Sequence, residues 1–214
     1  MVDANPNPPQ MPTLANADIP PRYRRYLLAD FPPSVVREVE QWLADDDSWS
    51  LYLWGDTDAR KSSLAGAILM EMRRRWLSRW WESLGYGYQR YYADHPDRVR
   101  PPGLLLPMED AVPLMRRPGT EEYAKAMAVW RAAPWLVLDD VGTHRDTDHV
   151  VETLQQLMHH RYIWHEPQQG TRLIVTANMT LNELARRINA ATARRLEEGA
   201  VWEMSPPKKE SPNE

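Results

Sequence analysis

Gly55, Lys61 and Ser62 have types and spacing that bear directly on chemistry, in the run Gly55-Asp56-Thr57-Asp58-Ala59-Arg60-Lys61-Ser62. The register is that of a phosphate-binding loop, G-x-x-x-x-G-K-[ST]. In such a loop backbone N–H groups wrap the phosphates, the lysine neutralises them and the hydroxyl reaches Mg²⁺. Gly55, Lys61 and Ser62 keep the pattern, and Ser63 adds a second hydroxyl. Arg60 stands where the second glycine belongs, and Asp58 where a related form of the loop has another glycine. A glycine there lets the backbone approach phosphate oxygens at angles that cost a residue with a Cβ about 1–3 kcal/mol. Arg60 adds a positive charge that favours phosphate and Asp58 a negative one that opposes it. Binding tolerates such damage better than hydrolysis, which depends on placing the γ-phosphate and a water to a fraction of an ångström. The sequence therefore predicts ATP and Mg²⁺ as ligands and leaves hydrolysis, and with it the status of an enzyme, open.

A phosphate loop needs a carboxylate opposite it, because Mg²⁺ bridging two phosphates takes a ligand, direct or through water, from a second strand. Trp135-Leu136-Val137-Leu138-Asp139-Asp140 fits that strand. Asp139 is assigned with Ser62 to the Mg²⁺ shell, and Asp140 to polarising the attacking water. Asn178, after Leu173-Ile174-Val175-Thr176-Ala177, is the third polar group at a strand end and is assigned to orienting water against the γ-phosphate.

Positioning these groups requires strands that alternate with helices. Pro33 and Ser34 start a helix through Val39 and Trp42, and Trp49 to Trp54 reads as a buried strand. From Ser62 a helix follows on the stripe Leu64, Ile68, Met72, Trp76 and Trp80, so Trp76 and Trp80 are expected in the core. Residues 86–102 are expected to be an irregular connection. A short strand at 103–106, helices at 108–115 and 121–132, and a helix carrying Val150, Leu154 and Leu157 come next. Gly170 is expected to introduce the strand at 173–176. Thr180 and Glu183 have capping-box spacing for a helix starting at Leu181. Such alternation implies an α/β fold, a parallel sheet sandwiched by helices, with ligands beyond the carboxyl ends of the strands.

The chain has 214 residues, a length that favours one domain, and the Pro-rich, weakly apolar stretches 1–13 and 205–214 are expected to be disordered tails around a domain at 14–204. Cysteine is absent, which excludes disulfides and thiolate chemistry. With no apolar leader and no apolar run long enough to span a bilayer, the expectation is a cytoplasmic protein without a membrane partner. The formal charge of −4 gives no global basic footprint. His159, His160 and His165 lack metal spacing and are expected at the surface.

Taken together, the phosphate loop, Trp135 to Gly142, the helix ending at His160-Arg161-Tyr162, and Leu173 to Asn178 with Leu181-Asn182-Glu183-Leu184 resemble the AAA+ core of DnaC/DnaI-type helicase loaders and IstB-type transposition ATPases. Asp18-Ile19-Pro20-Pro21-Arg22-Tyr23 looks like the segment preceding that core. The resemblance implies an ATP-binding, DNA-associated protein that assembles as a homo-oligomer, with no large C-terminal lid domain. It further implies a trans-acting arginine finger, assigned to Arg195 in Arg195-Leu196, although Ala191 replaces the first arginine of the Arg-x-x-x-Arg spacing. Single-stranded DNA would be contacted by the helices at 108–132, through Arg116, Arg117, Lys125 and Arg131. The protein partner would be a replicative helicase or, on the transposition reading, a transposase. A third alternative is a nucleotide-independent adaptor that retains the scaffold.

Overall fold

The structure, a computed structural model, describes residues 8–14, 16, 18–143, 147–165 and 171–206. Five parallel strands form one sheet in the order β2-β3-β4-β1-β5: β1 Ser50–Gly55, β2 Leu104–Pro107, β3 Trp135–Val141, β4 Arg172–Ala177 and β5 Ala200–Met204. The helices are α1 Pro33–Ala44, α2 Lys61–Ser83, α3 Tyr86–Asp94, α4 Met108–Met115, α5 Glu121–Ala132, α6 Asp148–Ile163, α7 Leu181–Arg187 and α8 Ala190–Glu197.

The two-residue period of the strands divides the core in two. Leu51 and Leu53 of β1, Leu105 of β2, Val137 of β3 and Ile174 of β4 pack with α1, α2 and the segment Ile19 to Phe31. Tyr52, Leu136, Leu138, Leu173 and Val175 point the other way, against α4 to α8. The helix after β1 thus lies on one face and those after β2, β3 and β4 on the other. Between β1 and its neighbour β4 the winding reverses, which opens a crevice at the carboxyl ends of the strands.

The segment ahead of α1 is pinned by the fully buried Arg73, which reaches Asp18 Oδ1 and Oδ2 at 2.9 and 2.6 Å and the carbonyls of Pro102 and Gly103 at 3.1 and 2.8 Å. Gly66 of α2 makes room for it, since a Cβ there would stand 2.6 Å from the Tyr23 carbonyl oxygen. Across the sheet, Thr180 and Glu183 close the expected capping box on α7.

Two expectations are corrected. Residues 86–102 are not irregular: they hold α3 and a 3-10 turn, Pro96–Arg98. α3 buries no side chain, so it leaves no apolar stripe to read; Gln89 Nε2 donating to the Trp81 carbonyl at 2.9 Å and an edge-on Trp80–Tyr92 contact hold it instead. Trp76 and Trp80 lie outside both core clusters and stack on each other at 5.3 Å, because α2 runs on past Met72, its last residue in either cluster. β5 had no sequence signal as a strand: it is an edge strand whose Val201 and Glu203 are exposed. Gly170 and residues 1–7 and 207–214 of the expected tails fall outside the described residues; Pro12 is buried. Among the described residues no helix is long and apolar enough to cross a membrane.

Candidate functional site

The loop after β1 runs into the first turn of α2, and its backbone keeps the shape that glycines would supply. Asp58 and Arg60 have φ values of 70° and 58°, both left-handed, as does Gly55 at 142°. Gly55 is required there, since a Cβ would meet the Met204 carbonyl oxygen of β5 at 2.1 Å. Arg60 is the residue before the first turn of α2, so the replacement of glycine is absorbed as local backbone strain rather than by refolding the loop. Its guanidinium sits 5.1 Å over the Tyr26 ring, on the wall of the crevice. Lys61 is buried and folds back into the loop, donating to the carbonyls of Gly55 at 2.9 Å and Asp56 at 2.6 Å. Burial pushes its ammonium below the usual lysine range, and Asp140 and Asp139 oppose that shift.

Opposite the loop, β3 loses register with β4 between Leu138 and Val141, and Asp139 and Asp140 lie in that irregularity. Asp140 has φ 66°, so the bulge turns both carboxylates toward the strand ends. Thr176 of β4 stitches it: its hydroxyl accepts from the Asp140 N–H at 2.8 Å and donates to Asp139 Oδ1 at 2.7 Å. The Tyr23 hydroxyl donates to Asp139 Oδ2 at 2.7 Å and accepts from Arg22 Nη2 at 2.6 Å. Arg22 also pairs with Glu109 at the start of α4. Burial and the neighbouring Asp139 push the Tyr23 phenol upward, so it remains a donor at ordinary pH. Asn178 Nδ2 donates to Asp140 Oδ1 at 3.3 Å, and Thr143 Oγ1 donates to Asp140 Oδ2 at 3.0 Å.

These two halves face each other across a cleft of about 920 Å³, lined among others by Arg60, Lys61, Ser62, Ser63, Asp139 and Asp140, with Asn178 at its edge. The volume is that of a small-molecule site. A lysine presented by a loop of backbone amides on one side and a buried carboxylate on the other suits a polyanion carrying a divalent cation.

Most of the chain superposes on known replication proteins. It is similar to the crystal structure of DnaI, with a TM-score of 0.63, 17% identity, and coverage of 87% of this chain and 95% of that one. For the DnaC helicase loader the TM-score is 0.60 at 17% identity, with coverage of 87% and 100%. The AMPPCP-bound DnaA from Aquifex aeolicus matches with a TM-score of 0.61 at 14% identity, over 87% of this chain and 51% of DnaA. The chain has the fold of these DnaI and DnaC structures. No family model matches the sequence, and no characterised protein matches it significantly.

In this fold the loop after β1 and Asp139-Asp140 of β3 lie side by side at the carboxyl ends of the strands. Arg60, Lys61, Ser62, Ser63, Asp139, Asp140 and Asn178 line the cleft, and the Gly55 carbonyl accepts from Lys61; Arg195, expected to act across a subunit contact, lies elsewhere. Arg195 lies in α8, where its carbonyl accepts from Trp49 Nε1 at 3.1 Å and its guanidinium sits 5.2 Å over Tyr162. Trp49 precedes β1, so Arg195 is at the opposite end of the strand from Lys61. Arg116, Arg117, Lys125 and Arg131 are exposed on α4, α5 and the turn between them, away from the cleft lining. Lys125 is paired with Glu121 at 2.5 Å. Among the described residues no cluster of His, Asp and Glu has metal-holding geometry.

Sequence reasoning passed over Tyr23, Arg22, Glu109, Thr143 and Thr176 as members of the site. Thr176 carried a signal, being a hydroxyl in an otherwise apolar strand close to the strand end. Tyr23 carried none, because 116 residues separate it from Asp139.

Proposed function

We propose that the chain is an ATP-binding AAA+ protein acting on DNA in the manner of a replication helicase loader, with hydrolysis subordinate to binding. The observation that carries this reading is the convergence of Lys61, Ser62 and Asp139 on one cleft at a sheet edge. Lys61 and the loop amides would hold the phosphates, and Ser62 and Asp139 would flank Mg²⁺. Bound Mg²⁺ would supply charge neutralisation between the phosphates. Asp140, held by Asn178 and Thr143, is the group aimed at a water. One structural neighbour is a DnaA bound to AMPPCP and single-stranded DNA, and others are DnaI and DnaC, which supports nucleotide, DNA and a replicative helicase as partners. Arg195, distant from its own cleft, suits a role only across a subunit contact in a homo-oligomer.

A second reading rests on a different fact. Lys61 and both oxygens of Asp139 have intramolecular partners, which suits a nucleotide-independent adaptor that retains the scaffold. Isothermal titration with Mg-ATP separates the two: binding that Lys61→Ala abolishes supports the first, and no heat at millimolar nucleotide leaves only the adaptor.

A further inference from the structure

Beyond Leu77 no residue of α2 is buried, and with α3 and the turn Pro96–Arg98 its end forms a largely exposed ridge. α3 buries nothing, and Tyr86, Tyr88 and Tyr91 are 55%, 67% and 39% exposed, an unusual outlay of aromatic surface on one nine-residue helix. The rings near them form a connected array. Trp76 stacks on Trp80 at 5.3 Å and 12°, Trp80 meets Tyr92 edge-on at 4.8 Å, Tyr92 meets Tyr91 at 5.2 Å, and Tyr91 stacks on His95 at 4.5 Å and 22°. The Arg98 guanidinium lies 5.9 Å over the Tyr91 ring.

The charge on this ridge runs against that of the chain. Residues 74–100 hold six arginines (74, 75, 79, 90, 98 and 100) and three acids (Glu82, Asp94 and Asp97), a local excess of +3 in a protein of net charge −4. Arg74, Arg75 and Arg90 are taken by Glu71, Glu40 and Asp94. Arg79, Arg98 and Arg100 make no ion pair among the described residues; Arg98 and Arg100 line a cleft of about 540 Å³ with Tyr91, Tyr92 and Asp97.

We propose that this ridge is a binding surface for single-stranded DNA, with bases stacking on Tyr86, Tyr88 and Tyr91 and phosphates paired by Arg79, Arg98 and Arg100. The proposal rests on the reading of the chain as a DNA-acting protein and moves its strand contact from α4–α5 to α3. Guanidiniums without a carboxylate partner, beside exposed rings, complement a flexible polyanion whose bases present π-faces, and such binding is sequence-tolerant. On α4–α5, by contrast, Glu109, Asp110, Glu121 and Glu122 dilute the basic residues and Lys125 is already paired.

Fluorescence anisotropy of the full chain with labelled dT20 at low salt tests it, with rU20 as the second arm. Combined Tyr86→Ala, Tyr88→Ala and Tyr91→Ala should weaken dT20 binding at least tenfold, while the corresponding Phe variants, which keep the stacking faces, retain it. Arg98→Ala with Arg100→Ala should weaken it and make the log–log salt slope shallower, by about 0.7 for each phosphate no longer neutralised. Arg116→Ala with Arg117→Ala should change it less than twofold. The proposal is overturned if the alanine triple binds as the native chain does, if only the α4 pair matters, if rU20 binds more tightly than dT20, or if the native chain does not bind dT20. The last outcome would give the ridge to a protein partner. Mg-ATP titration of the same samples keeps the two readings apart, since the tyrosine variants should bind nucleotide unchanged.

Discussion

Tyr23→Phe removes one oxygen atom and, with it, the hydrogen bond that occupies one side of Asp139. The side chain is 1% exposed and its hydroxyl lies 2.7 Å from Asp139 Oδ2, so the ring packing survives the change; the bond accepted from the exposed Arg22 is replaced by water, and the loss that counts is the bond to the buried carboxylate. Such bonds contribute about 1.5–3 kcal/mol. Taking roughly 2 kcal/mol, and about 2–4 °C per kcal/mol for a chain of this size, the melting temperature should fall by about 4–8 °C. Thr176 still donates to Oδ1 at 2.7 Å, so Asp139 keeps a partner and the fold should persist. The effect on nucleotide should have the opposite sign. In the free protein the phenol competes for the oxygen that a Mg²⁺-bound water would use, so the variant no longer has to break that bond. If the whole 2 kcal/mol were released, affinity for Mg-ATP would rise by about thirtyfold, and with partial retention of the contact a rise of roughly tenfold is expected. Scanning calorimetry and isothermal titration on the same preparation measure both quantities. A variant less stable and also weaker for Mg-ATP would refute the reasoning, since Tyr23 would then belong to the bound state rather than oppose it. An unchanged melting temperature would refute the assigned bond.

Arg60→Gly should shift thermal stability by no more than about 1 kcal/mol, because relief of left-handed strain is offset by removal of the cation–π pairing with Tyr26 and by the freer unfolded chain. The same variant should bind Mg-ATP severalfold more tightly by titration, and weaker binding would show that the guanidinium itself holds phosphate. Arg73→Met leaves the Pro102 and Gly103 carbonyls unsatisfied and should cost about 3 kcal/mol in chemical denaturation, with the segment carrying Tyr23 becoming protease-sensitive first. Asp18 is held below the ordinary aspartate value of 3.8 by its hydrogen bond from Arg73. Its contribution is therefore complete above pH 3.8 and is lost as pH falls through the lower folded value, so Asp18→Asn should flatten the acid limb of the stability curve and leave pH 7 to 9 unchanged in slope.

Strands buried on both faces were legible in the sequence, because Leu51 to Leu53 and Leu173 to Val175 are unbroken apolar runs between turn signals. The helices at 108–115 and 121–132 were legible to the residue. Legibility failed where burial failed. β5 is half-exposed, and α3 is held by aromatic contacts that no single-face period reports. Trp80 fitted the apolar stripe of α2 but lies past Met72, the helix's last residue in either core cluster, and periodicity alone does not say where a partner surface ends. In the site, groups within one strand–turn–helix unit were found, whereas Tyr23 and Glu109 join through tertiary proximity. The left-handed Arg60 was anticipated as strain; its rest on Tyr26 was not, since that depends on how the segment ahead of α1 crosses α2.

α2 spans 23 residues, roughly 35 Å at about 1.5 Å per residue, with Lys61 in its first turn and the tryptophan stack near its last. One rod thus joins the Lys61 cleft to the proposed strand-binding ridge, and a tilt of about 5° at one end displaces the other by roughly 3 Å. Thermodynamic reciprocity then fixes the traffic between them: whatever factor an oligonucleotide on the far end imposes on triphosphate affinity, triphosphate must return on oligonucleotide affinity.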